Sequence, residues 1–345
     1  MVFPALPPSA SSRRTFIGAA AFAAAGLAGA AAKNPGAGGR RETFRLSAAG
    51  EPDLFLRRQR PDGPKQPAPV LYVHGATFPS ALSIAFRFDG YSWMDDLAAA
   101  GFSVWGLDFA GYGESARYPE TARAEPPGRA GEAARQIERA VAFICEREGA
   151  PRASIVAHSW GTLAAGVYAA GRLERLERLV LFGPVARREG PRGDDPSPPF
   201  RLVTVDQQHA RFVADTPAGH PPVLLDRHFE RWGPAYLASD PESATRSPPA
   251  VLIPGGPAAD LRDAWSGAFP YDPGKITAPT MIVRGEWDSV TADADARWLF
   301  EALANADPRR DVKISKGSHL MHLEESRFEL YEATRGFLAG ATPRR

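Results

Sequence analysis

The chain has a single cysteine, Cys145, in 345 residues. An intrachain disulfide and a multi-cysteine zinc site are therefore both excluded. Charge of one sign is also lacking: 41 Lys and Arg stand against 40 Asp and Glu, a net +1. Such a balance leaves no electrostatic footprint for nucleic acid or an anionic membrane. No P-loop, dinucleotide fingerprint or cluster of metal-ligating residues is present, so neither a metal nor an organic cofactor is expected. Internal repeats are absent as well. The chain is nonetheless 44% hydrophobic and 23% charged, enough to build a soluble core.

The most apolar stretch near the start is weak, being mostly Ala and Gly up to Ala32. It falls short of the roughly 20 strongly apolar residues that a membrane helix needs. Ser11-Ser12-Arg13-Arg14-Thr15-Phe16-Ile17 precedes it, and Ala30-Ala31-Ala32 offers small residues for cleavage. A paired arginine before a weakly apolar run resembles a twin-arginine (Tat) export signal over 1–32. The resemblance implies the Tat export machinery as partner of the precursor, no stable membrane insertion of the mature chain, and a periplasmic or secreted destination. Residues 33–42 read as a linker.

Beyond it, short apolar runs alternate with amphipathic stretches. Strands are expected at 43–47, 53–58, 69–73, 102–107, 153–157, 178–182, 279–283 and 311–315. Helices are expected at 91–100, 129–148, 160–171, 293–304 and 324–338. In the second helix Ile137, Val141, Ile144 and Cys145 share one face, so Cys145 reads as a core residue rather than a reactive thiol. This alternation predicts an α/β fold, a mostly parallel eight-stranded sheet flanked by helices and opening with an antiparallel hairpin. From 185 to 274 the alternation breaks into Pro-rich pieces and aromatics. That stretch is too long for a loop and reads as an inserted, largely helical cap between core segments 43–184 and 275–345.

Four segments at strand ends carry chemistry. In Val156-Ala157-His158-Ser159-Trp160-Gly161-Thr162 an apolar strand runs into a serine flanked two residues away on each side by a small residue, and then into a helix. A tight strand-to-helix turn needs those small residues, and it exposes the serine oxygen at a helix N-terminus. A serine here can also simply cap the helix. After strand 69–73 comes His74-Gly75-Ala76-Thr77. Its turn offers a backbone N–H from Ala76, with Thr77 as rival, to pair with that of Trp160 as an oxyanion hole. After strand 279–283 come Glu286 and Asp288; Asp288 is the carboxylate expected to orient a histidine, with Glu286 as rival. After strand 311–315 come His319 and His322, of which His319 directly follows the turn.

The order Ser159, Asp288, His319 resembles that of the α/β-hydrolase superfamily in its capped branch, over about residues 43–340. Asp108-Phe109-Ala110-Gly111-Tyr112-Gly113-Glu114-Ser115 is similar to that family's Asp-X-X-Gly-X-Gly-X-Ser turn, although Ala110 stands where relatives often carry Arg. Gly317, His319 and Glu324 fit its Gly-X-His-X-X-X-X-Glu pattern. The resemblance implies a catalytic Ser-His-Asp triad acting through an acyl-enzyme, without a cofactor, on a small-molecule ester. The elbow serine argues against branches that use Asp there. Amide or peptide hydrolysis, lactone hydrolysis, and a catalytically silent binding protein are the alternatives. Phe78, Trp160 and His74 are expected to line the substrate site. With Phe86, Phe88 and the cap aromatics, they would suit a bulky apolar or aromatic group, if the cap rings are not simply core.

Overall fold

The computed structural model describes residues 40–340 except 62, 67, 121–124, 172 and 192–196. The paired-arginine leader and the linker up to residue 39 lie outside the described residues. Among the described residues no helix is long and apolar enough to cross a membrane.

The strands are β1 (Arg41–Ala48), β2 (Glu51–Gln59), β3 (Val70–Val73), β4 (Val104–Asp108), β5 (Ala153–His158), β6 (Leu176–Phe182), β7 (Phe200–Thr204), β8 (Ala250–Pro254), β9 (Thr280–Gly285) and β10 (Arg309–Ile314). The helices are α1 (Trp93–Ala99), α2 (Ala130–Glu148), α3 (Gly161–Gly171), α4 (Val205–Val213), α5 (Asp226–Ala238), α6 (Gly256–Trp265), α7 (Asp293–Ala302) and α8 (Arg327–Leu338). Eight strands form one sheet in the order β1-β2-β4-β3-β5-β6-β9-β10. β2 runs antiparallel to β1 and to β4, and every other pairing is parallel. The predicted sheet, with its opening hairpin, is therefore present. β1 starts at Arg41, two residues inside the stretch expected to be linker.

Strand alternation divides the core. Leu71, Val73, Ile155, Ala157, Leu179 and Leu181 face one apolar layer with Ile137 and Cys145 of α2 and Leu163 of α3. Val70, Tyr72, Val156, Val180 and Phe182 face the other, with Trp93 and Leu97 of α1 and Leu330 and Phe337 of α8. Both faces of the central strands are covered, which is why they read as continuous apolar runs. Ser92 caps α1 in a box with Asp95, and Gly149, at φ +63°, ends α2 in the left-handed conformation. Asp108 behaves as scaffold: it accepts hydrogen bonds from Ser80 N (2.9 Å) and Arg57 Nη2 (3.0 Å).

The segment between β6 and β9 adds one feature to the expected largely helical insertion. It holds α4, α5 and α6, but also a two-stranded antiparallel sheet in which Phe200 pairs with Pro254 and Thr204 with Ala250. Each strand is short and flanked by prolines, and its partner lies far along the chain, so no local pattern announces it. The last expected helix, 324–338, begins at Arg327, because Met321–Leu323 first form one 3₁₀ turn.

Candidate active site

Three loops at the carboxyl ends of β5, β9 and β10 meet at one point of the sheet rim. Ser159 follows β5 with φ +55°, a conformation few non-glycine residues adopt. Its N–H donates to the Phe182 carbonyl at 2.9 Å, and its own carbonyl accepts from Thr162 N at 2.9 Å, so the turn is held at both ends. A Cβ on Gly161 would stand 2.4 Å from the His74 carbonyl oxygen, and one on Gly75 would stand 3.1 Å from Ser159 Cβ. Small residues are thus needed where the β3 turn presses against the serine.

His319 Nε2 lies 2.8 Å from Ser159 Oγ, and His319 Nδ1 lies 3.0 Å from each Asp288 oxygen. Asp288 Oδ1 also accepts the N–H groups of Val290 (2.8 Å) and Thr291 (2.9 Å). Burial by itself would raise the Asp288 pKa. The His319 ring and those two amides outweigh it and hold the carboxyl below its ordinary value. An ionised carboxylate only accepts, so the imidazole proton sits on Nδ1 and Nε2 is free to take the serine proton. Such an arrangement can supply a nucleophile, a base and a carboxylate that orients the base.

The rivals fall away from this point. Glu286 accepts from Ser315 Oγ (2.9 Å) and Lys316 N (3.0 Å) at the surface. His322 is buried behind His158 with ring centroids 4.6 Å apart, and burial pushes its pKa down to about 3. His158 Nε2 donates to the His319 carbonyl at 3.0 Å, and burial first, then the neighbouring His322 and His319, keep that ring neutral. Glu324 accepts the Ser318 N–H at 3.2 Å and the Ser318 hydroxyl, fastening the turn just before His319. Burial raises its pKa to about 7.

Among the described residues the Ala76 and Trp160 amides, expected to form an oxyanion hole, donate to no backbone acceptor. Among the described residues the Thr77 amide likewise donates to no backbone acceptor.

The three residues expected to line the substrate site are each engaged by other protein groups. His74 is fully buried: its Nε2 accepts from Phe109 N at 3.0 Å, so Nδ1 carries the proton and donates to the Gly75 carbonyl at 2.7 Å. Burial lowers its pKa to about 4. With both nitrogens used, it ties the β3 turn to the β4 turn and offers substrate nothing. The Trp160 indole is buried, with Nε1 donating to Asp260 Oδ2 of α6 at 2.8 Å. Phe78 is buried edge-on against Trp232 of α5, centroids 5.2 Å apart. Phe212, Phe229 and Tyr236 also pack around Trp232. The inserted aromatics make a core of their own, so they no longer argue for an aromatic substrate.

Sequence reading missed Gly183. At φ +53° it lies beneath the acid–base pair: a Cβ there would meet His319 Nδ1 at 2.9 Å and Asp288 Oδ2 at 3.0 Å. It also missed Asp215, whose Oδ2 accepts the His319 N–H at 3.1 Å. A glycine directly after a buried strand was the available signal for the first; nothing local marked the second.

Residues 70–333 match the alpha/beta hydrolase family. Among solved structures, a serine hydrolase from the polyaromatic-hydrocarbon-degrading bacterium Cycloclasticus zankles is similar at TM-score 0.58 and 15% identity, over 87% of this chain and 99% of that one. The enol-lactonase from Burkholderia xenovorans LB400 is similar at TM-score 0.54 and 17% identity, over 86% and 99%. A monoacylglycerol lipase from Paleococcus ferrophilus is similar at TM-score 0.54 and 20% identity, over 84% and 99%. At such identities the likeness is one of fold. No curated protein matches the chain in sequence. Because the family match runs through β3 to α8, well over half of the sequence, the chain belongs to the alpha/beta hydrolase family.

Proposed function

We propose that the protein is a serine hydrolase that cleaves a carboxylic ester of a small molecule through an acyl-enzyme. The observation that carries this reading is the unbroken line from Ser159 Oγ to His319 Nε2 (2.8 Å) and from His319 Nδ1 to Asp288 (3.0 Å). His319 takes the proton as Ser159 attacks the ester carbonyl, and Asp288 stabilises the imidazolium that forms. The N–H groups of Trp160 and of Ala76 or Thr77 receive the oxyanion, each worth about 3 kcal/mol of barrier. His319 then gives its proton to the departing alkoxide, and water repeats the attack on the acyl-enzyme. An alkoxide leaves more readily than an amine, which favours ester over amide hydrolysis. Residues 185–274 act as a cap in this reading, supported by Asp215 and Asp260 reaching the residues around the serine. The precursor is exported by the twin-arginine route, a reading supported by Arg13-Arg14 and the small-residue run to Ala32.

A panel of aryl esters, lactones and aminoacyl anilides, with a fluorophosphonate probe, tests the reading. Wild type takes one label at Ser159 and turns over the esters fastest. Ser159→Ala loses turnover by about 10⁴-fold or more and takes no label. A variant that keeps its rate would make Ser159 a helix cap and end the proposal.

A further inference from the structure

The main chain of His319 is gripped at both ends by side chains. His158, adjacent to the serine, donates to its carbonyl at 3.0 Å. Asp215 accepts its N–H at 3.1 Å. Asp215 belongs to neither strand that carries the acid or the base. It lies just beyond α4 in the inserted segment, with a side chain only 1% exposed. Its other oxygen, Oδ1, accepts the Ser289 hydroxyl at 2.6 Å and Arg211 Nη1 at 3.1 Å. Ser289 immediately follows Asp288. One carboxylate from the insertion therefore holds the loop of the base and the loop of the acid together.

We propose that Asp215 is a positioning residue for the triad, so that the inserted segment sets the alignment of His319 and Asp288 as well as covering the site. The proposal rests on the serine-hydrolase reading. Asp215 touches neither substrate nor the serine and acts only through the two loops. Its position matters for a physical reason. The acid and base loops leave different strands, β9 and β10, and among the described residues the last main-chain bond between them, from the Trp287 N–H to the Gly317 carbonyl (2.9 Å), comes before both Asp288 and His319, which leaves these two some freedom to shift. A buried carboxylate that satisfies three donors removes that freedom, and without it the His319 N–H, the Ser289 hydroxyl and Arg211 each lose a partner. A shift of about 1 Å at a reacting group costs on the order of 100-fold in rate.

The test compares Asp215→Ala, Asp215→Asn and Trp232→Phe in the full-length protein, by kcat and KM on an aryl ester, Ser159 labelling rate and Tm. Trp232→Phe also removes a bond between insertion and core, the 2.9 Å contact of Nε1 with the Leu82 carbonyl, but touches no triad loop. Asp215→Ala should lower kcat and labelling rate by about 100-fold with KM within about threefold. Asp215→Asn keeps the size and one acceptor oxygen, and should lower kcat by about tenfold. Trp232→Phe should lower Tm and leave kcat at the wild-type value. If Asp215→Ala does not fold, Asp215→Asn decides. Asp215 variants with wild-type kcat and labelling rate, beside an active wild type, overturn the positioning role alone. A wild type that neither takes the label nor hydrolyses any ester overturns the serine-hydrolase reading and this step with it.

Discussion

At the carboxyl rim of the sheet, atoms stand at the limit of contact. An added methyl would come to 2.4 Å of a carbonyl oxygen at Gly161 and to 2.9 Å of the His319 ring at Gly183. The centre of the inserted segment is built differently. Phe212 and Trp232 meet at 4.9 Å and 89°, Trp232 and Tyr236 at 5.0 Å and 9°, and Phe78 joins from the core at 5.2 Å. Rings at such separations hold their neighbours by buried area and shape. In the proposed reading the rim holds a geometry in which a displaced atom is a lost reaction, whereas the insertion holds a volume in which a lost ring is mainly lost stability. The two touch through a few polar groups, Asp215 and Asp260 among them.

That contrast can be broken by measurement. The largest effect is expected at the rim: Asp288→Asn should cost about 10⁴-fold in kcat, because the imidazole loses its fixed tautomer, while Tm moves little. An equal loss of stability and rate would mean that Asp288 is chiefly structural. Trp232→Ala in the insertion should do the reverse, costing about 4 kcal/mol of unfolding free energy by chemical denaturation. Its kcat should fall far less than that of Asp288→Asn.

Glu324 links rim stability to pH. Its carboxyl is raised from 4.5 to about 7 in the folded protein by burial. Between those values the unfolded chain binds fewer protons than the folded one, so stability falls as pH rises from about 4.5 through about 7. Burial of this group can contribute at most about 3 kcal/mol to that fall. Glu324→Gln should flatten this part of the stability–pH curve, measured by denaturation at several pH values; an unchanged slope would assign the dependence to another group. The smallest expected effect sharpens the contrast most. Gly183→Ala should leave the fold intact and lower kcat by about 100-fold, since the new methyl pushes on the acid–base pair itself. Were the rate unchanged, the rim would be softer than its contacts suggest.

The sheet, its opening hairpin and the meeting of Ser159, Asp288 and His319 were legible for one reason. Ser159 and Asp288 follow buried strands whose apolar runs are visible locally, His319 follows the half-exposed edge strand β10, where Val312 and Ile314 alternate with charged residues, and the topology of the sheet brings such strand ends to one edge. From the sequence alone the Trp160 ring, the Phe78 side chain and His74 look substrate-facing, because they are aromatic or polar and adjacent to the serine or its turn. Each is in fact turned to a partner remote in sequence or engaged on both sides: Asp260, Trp232, and the Phe109 amide with the Gly75 carbonyl. The strands Phe200–Thr204 and Ala250–Pro254 escaped notice because each exists only by pairing with the other.

What the sequence by itself determined is the order of elements and the residue types placed at their ends, since apolar periodicity and the need for small residues at a tight turn act between near neighbours. Which way the flanking side chains point, that Gly183 must be bare, and that a carboxylate from the insertion grips the His319 loop were decided only by tertiary structure. Those facts depend on contacts between segments about a hundred residues apart, such as Asp215 with His319, and no local pattern encodes a distance between them.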